Sequence, residues 1–187
     1  MSDFVKLHRQ KIDPEPIEGY LLARSKTLTL IQPFDPDFMD FNGYTVVRNR
    51  DLTRTVRLKP RSFVLRAIEL KRIESKPVEG VVIDDWPALV RSAGDLFPVI
   101  TIHSEIADPD VCFIGRPSLI SARTFGLTEI DPDARWSCSR SYRFEDLTKV
   151  DFGGGYEAAL VAVAETDAKN QIIAAKKRQS AVRKLRT

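Results

Sequence analysis

The stretch Asp146-Leu147-Thr148-Lys149-Val150-Asp151-Phe152, followed by Gly153-Gly154-Gly155 and Tyr156, has a counterpart in Asp51-Leu52-Thr53-Arg54-Thr55-Val56-Arg57-Leu58, followed by Phe63. Each reads as a short strand that leads into a helical pattern. Two further echoes precede the pair in the same order. Pro16-Ile17-Glu18-Gly19 matches Pro77-Val78-Glu79-Gly80, and Leu28-Thr29-Leu30-Ile31 with Asp35-Pro36-Asp37 and Gly43 matches Val99-Ile100-Thr101-Ile102 with Asp108-Pro109-Asp110 and Gly115. Three landmarks in one order predict an internal duplication. Leu127-Thr128-Glu129-Ile130 also fits Leu52-Thr53, but the helix that follows Asp146 favours the later match.

On this reading the chain divides into a first β-rich unit with a helix over 1–76, a second and longer one over 77–166, and a basic helical tail over 167–187. Strands are predicted at 19–23, 27–31, 43–47 and 53–58, then at 79–84, 88–92, 97–104, 111–114, 118–123, 138–144 and 147–152. The Asp-Pro-Asp triplets at 35, 108 and 131 are turns, with proline preset near φ −65° and an Asp ahead of it to bond the backbone. Residues 61–74 form an amphipathic helix that ends before Pro77. A second helix starts near Tyr156 and either runs for up to thirty residues, on the spacing of Val161, Ala164, Ala168, Ile172, Ala175, Val182 and Leu185, or bends near Asp167 to Asn170 with a fraying end beyond. A few short strands bury their apolar faces best when the sheet curls, so the predicted class is mainly β with flanking helices (α+β), built as two tandem small barrel-like units and a basic C-terminal helix.

The segment from Tyr142 to Leu160, YRFEDLTKVDFGGGYEAAL, resembles part of small uncharacterised bacterial proteins with Sm-like or SH3-like barrels. It spans about a tenth of the chain, and the resemblance implies a binding scaffold, since a fold of this kind does not fix a function.

With 187 residues, 43% of them hydrophobic and 29% charged, the chain can bury a core and is neither disordered nor collagenous. Cys112 and Cys138 are too few for a disulfide framework or a four-thiolate zinc site. The first ten residues carry Asp3, Lys6, His8 and Arg9 with no apolar run behind them, so a cytoplasmic protein without a membrane span is expected. Of 29 basic and 26 acidic residues, seven basic ones and no acid lie between Ala168 and Thr187. The remaining 22 basic residues against 26 acids leave the body at −4. The seven are Lys169, Lys176, Lys177, Arg178, Arg183, Lys184 and Arg186, the candidate contacts for a partner protein or a nucleic acid.

Catalytic groups are sparse. His103 and Glu105 would share one strand face at period two, the one arrangement resembling an acid/base pair. Asp84, Asp85 and Glu79 add carboxylates near a strand end, without cation-loop spacing. Cys112, inside Val111-Cys112-Phe113-Ile114, reads as a small buried hydrophobe, and Cys138 as a more exposed thiol without a paired histidine. Gly153-Gly154-Gly155 lacks the lysine of a phosphate loop and carries Glu157 where phosphate would sit. Tyr20, Tyr44 and Phe34 alternate with strand apolars and read as core. No metal and no cofactor is expected. The resulting expectation is a non-catalytic binding or interaction protein, most simply one contacting another protein, with toxin neutralisation one such role. The alternative is RNA or DNA binding through a barrel surface and the basic tail. A hydrolase using His103, Glu105 and the Asp84-Asp85 carboxylates comes third.

Overall fold

The computed structural model describes residues 3–59 and 61–184, with side chains through Asn170 and at Ile172. Among these residues eleven strands form one open antiparallel sheet, accompanied by three α-helices. The strands are β1 (Phe4–Arg9), β2 (Asp13–Arg24), β3 (Leu28–Asp35), β4 (Asp40–Phe41), β5 (Tyr44–Arg48), β6 (Arg54–Arg57), β7 (Ile100–His103), β8 (Cys112–Ser118), β9 (Thr124–Ile130), β10 (Trp136–Arg143) and β11 (Lys149–Phe152). The helices are α1 (Phe63–Lys71), α2 (Trp86–Leu96) and α3 (Gly155–Lys184). Across the sheet the order is β10-β9-β8-β7-β11-β5-β3-β2-β1-β6, with β4 paired to β3.

This corrects the expectation of two closed, separate barrels. β5 would be left with an unpaired row of N–H and C=O groups, and β11 fills it, pairing Val47 with Lys149 and Tyr44 with Phe152 while its other side pairs β7. Joining the halves through β11 satisfies an edge that barrel closure would otherwise have had to satisfy. The sheet is nevertheless strongly curled. Five strand spacings separate β7 from β1, about 24 Å in a flat sheet, yet Arg9 at the end of β1 bonds Glu105 just beyond β7 at 2.6 Å.

Both halves send their strands along the same course, a meander of four with the fifth strand returning beside the first. The registers coincide as well. Val5 faces Gly19 and Arg57, as Ile100 faces Gly115 and Phe152. A 3-10 turn precedes the fifth strand in each half (Asn49–Asp51, Phe144–Asp146), after which the Thr53 and Thr148 N–H groups donate to the carbonyls of His8 and His103. The glycines at this node are required by close approach. A Cβ on Gly19 would sit 2.0 Å from the Gln32 carbonyl oxygen, and one on Gly115 2.4 Å from that of Thr128. Of the three sequence landmarks, the Leu-Thr segments fall on matching elements. Ile17 lies in β2 whereas Val78 lies in a loop, and Leu28–Ile31 is third in its meander whereas Ile100–Ile102 is first in its own.

Residues 79–84 are irregular rather than a strand, and 88–92 lie within α2. Asp85 caps that helix by accepting the Ala88 N–H at 2.8 Å, Pro87 fits its first turn, and Trp86, Leu89, Val90 and Ala93 form the buried stripe. The predicted strand at 118–123 is displaced to β9, and β1 was not anticipated. The main core lies between α2 and one sheet face, where Leu30, Val46, Ile102 and Val150 meet Leu89 and Val90. α1 covers Phe4 and Phe34 with Leu65 and Ile68, and the first turns of α3 set Leu160 and Ala164 against Ile130 and Ala134. Beyond these turns, residues 165–170 of α3 are solvent-exposed.

Candidate functional site

The register of four central strands gathers polar side chains on one sheet face. β5, β11, β7 and β8 place Thr45 opposite Asp151, Asp151 opposite Thr101, Lys149 opposite His103, and His103 opposite Cys112. Directly opposed residues share a face. The result is a seam of hydrogen-bonded groups where the halves join. His103 Nε2 and Asp151 Oδ2 are 2.8 Å apart, and Thr45 Oγ1 donates to Asp151 Oδ1 at 2.6 Å. Lys149 Nζ lies 3.7 Å from Asp151 and 3.8 Å from Glu105. Arg9 forks onto Glu105, Nη1 to Oε2 at 2.6 Å and Nη2 to Oε1 at 2.9 Å, and Thr148 Oγ1 also donates to Oε2. From the start of α3, Glu157 accepts from Thr101 Oγ1 at 2.7 Å.

Electrostatics sets what these groups can do. Burial alone would raise the Glu105 carboxyl, but the hydrogen bonds from Arg9 and Thr148, with the charges of Arg9 and Lys149, outweigh it and hold it at about 2. Asp151 follows the same logic: burial pushes upward, and His103, Lys149 and Thr45 bring it below the usual carboxylate range. Both stay ionised near neutral pH and cannot donate a proton. Cys112 is exposed, not buried as its sequence context suggested, and it borders a cavity of about 330 Å³ that also touches His103, Asp151 and Glu157. Its thiol is pushed up by partial burial and by the Asp151 charge, and no hydrogen bond reaches it among the described residues. A Cys-His-Asp alignment is therefore present in register without an activated nucleophile.

The pair read from sequence, His103 with Glu105, is divided: His103 takes Asp151, and Glu105 takes Arg9. Asp85 is the α2 cap, and the Asp84 carbonyl accepts from Thr27 Oγ1. Cys138 is exposed on β10. Tyr20 and Phe34 pack with Phe4 and Phe41, and Tyr44 with Phe97 and Phe152. The triple glycine turns the chain from β11 into α3, with Gly153 at φ 71° and the Gly155 N–H bonded to Asn42 Oδ1. At 35 and 131 the first Asp of the triplet accepts backbone N–H groups downstream, as a turn requires. No group of three or more metal-ligating side chains occurs among the described residues, nor is any described helix long and apolar enough to cross a membrane.

Of the basic candidates, Lys169 is an exposed residue of α3. Lys176, Lys177, Arg178, Arg183 and Lys184 belong to the same helix, with side chains outside the described set, and Arg186 lies outside the described residues. Asp151 and Arg9, the partners that organise the seam, were missed because 48 and 96 residues separate them from His103 and Glu105. Comparison with protein families, curated proteins and solved structures finds no match to this chain.

Proposed function

We propose that the chain is a non-catalytic binding protein that contacts another protein through the outer part of α3. The observation that carries this reading is that the seam's acids and bases are engaged with one another. Glu105 and Asp151, held ionised by Arg9, Lys149 and His103, tie the two halves together and are unavailable as the general acid of a hydrolase built on His103. α3 is solvent-exposed over residues 165–170, and the sequence from Ala168 onward carries seven basic residues and no acid, a charge that favours an acidic partner surface. Nucleic-acid binding is the second reading, supported by the same charge. It has less support from stacking groups, because Tyr20, Tyr44 and Phe34 pack on aromatic neighbours within the fold.

The test is photo-crosslinking from position 169 in extract of the producing cells. The expected product is one protein adduct, and that protein, once purified, binds the intact chain with Kd below about 1 µM and loses most of this on Lys176→Glu with Arg183→Glu. Adducts dominated by RNA or DNA, together with a salt-sensitive mobility shift of a short oligonucleotide that the same variant abolishes, would replace this reading with the second.

A further inference from the structure

A cavity of about 390 Å³ opens between the two 3-10 turns and the start of α2, away from the seam and from α3. Trp86, Pro87 and Phe144 supply apolar wall, and Trp86 and Phe144 are themselves buried. Lys26, Arg48 and Arg50 bring three cations to the same wall, against the carboxylates of Asp85 and Glu145. Both acids are engaged elsewhere: Asp85 accepts the Ala88 N–H, and Glu145 pairs with Arg143. The cations are less well matched. Arg48, with its side chain 6% exposed, gives Nε to Asp51 and Nη1 to the Glu145 carbonyl, and its buried Nη2 has no acceptor among the described residues. Lys26 and Arg50 make no ion pair among the described residues. A buried guanidinium N–H without an acceptor is costly, and two unpaired cations beside it leave the wall net positive.

We propose that this cavity binds a small aromatic anion, its flat apolar body against Trp86, Pro87 and Phe144 and its charge toward the exposed Lys26 and Arg50, with Arg48 adding positive potential from behind. Apolar walls with a few converging polar groups are the ordinary composition of such a site, and the volume suits one ring system with one anionic group. The anionic group is a carboxylate or a phosphate, which present the same negative acceptors to guanidinium and ammonium donors. The proposal does not depend on the α3 reading, because none of its residues lies in α3.

The experiment is titration of the full chain with adenosine 5′-monophosphate and with indole-3-acetate, each against its neutral counterpart, adenosine and indole-3-acetamide. Heat of binding is read by calorimetry for all four compounds, and the environment of Trp86 by fluorescence for the adenosine pair, with Trp86→Phe separating its signal from that of Trp136. At least one anion is expected to bind saturably with Kd below about 1 mM and at least tenfold more tightly than its neutral counterpart. Lys26→Gln with Arg50→Gln should weaken it tenfold or more while leaving thermal unfolding in place, since both residues are exposed. A larger ratio of anion to neutral affinity for the monophosphate pair identifies a phosphate ligand; a larger ratio for the indole pair identifies a carboxylate. Absence of saturable binding by either anion, equal affinity for the neutral compounds, or indifference to the double substitution overturns the proposal.

Discussion

Replacing Glu105 by Gln removes the charge that faces Arg9 while nearly preserving shape. Arg9 is 1% exposed and Glu105 9%, so the guanidinium left behind could not be rehydrated without opening the sheet. Breaking one partner of such a buried pair costs about 3–5 kcal/mol. The carboxyl itself provides a second route to the magnitude. Its folded value of about 2 lies well below the usual 4.5, a preference for the ionised form on the order of 3 kcal/mol. Because the folded pKa is the lower one, this contribution is complete above about pH 4.5, where the unfolded chain is also ionised. It falls away as pH drops through about 2. Urea unfolding of wild type and Glu105→Gln at several pH values from 7 to 2.5 checks both statements. At pH 7 the variant should be less stable by about 3 kcal/mol or more, and the gap should narrow steadily below about pH 4.5. A difference below about 1 kcal/mol at pH 7, typical of an exposed pair, or a gap independent of pH, would refute the claim that this pair holds the curled sheet together. Arg9→Met combined with Glu105→Met should recover most of the loss, since it leaves no unpaired charge behind.

Other expectations follow from the same contacts. Ala at Gly19 or Gly115 should cost about 1–3 kcal/mol or more through forced strand separation, whereas Gly155→Ala, whose Cβ meets nothing nearer than 3.8 Å, should be close to neutral in thermal unfolding. Asp85→Ala removes the α2 cap and should cost about 1 kcal/mol, lowering Tm by about 2–4 °C for a chain of this size. Cys112 should react with iodoacetamide at pH 7.5 more slowly than free cysteine, as followed by mass spectrometry, because its thiol is pushed up; a faster rate would contradict the charge arrangement around it. Asp151→Asn should cost about 1–3 kcal/mol by disturbing the bonds to His103 and Thr45.

The predominance of strands, α1, and the start of α3 were legible in the linear pattern, whereas the sequence left open whether α3 bends near 167–170. Their signals are local: period-two runs, helical stripes, and proline or Asp turns that act within a few residues. α2 was misread because Ala88-Leu89-Val90 suits a strand as well as a buried helix. The Asp85 cap followed by Pro87, a helix-start signal, was the decisive local clue. The Leu-Thr landmark located corresponding turns at 52 and 147. The other two landmarks misled because short β-rich stretches share alternation whatever their place in a sheet.

Which strands become neighbours was beyond such signals. That β11 lies between β5 and β7 depends on competition for open backbone edges, and the winner emerges only when all strands are present. Pairing His103 with Asp151 and Arg9 with Glu105 follows from that choice. A one-residue slip in register would send these side chains to opposite faces. The side-chain types and their local geometry were written along the chain, whereas their charge partners came from long-range strand pairing, since contacts across 48 and 96 residues leave no periodic trace in a single sequence.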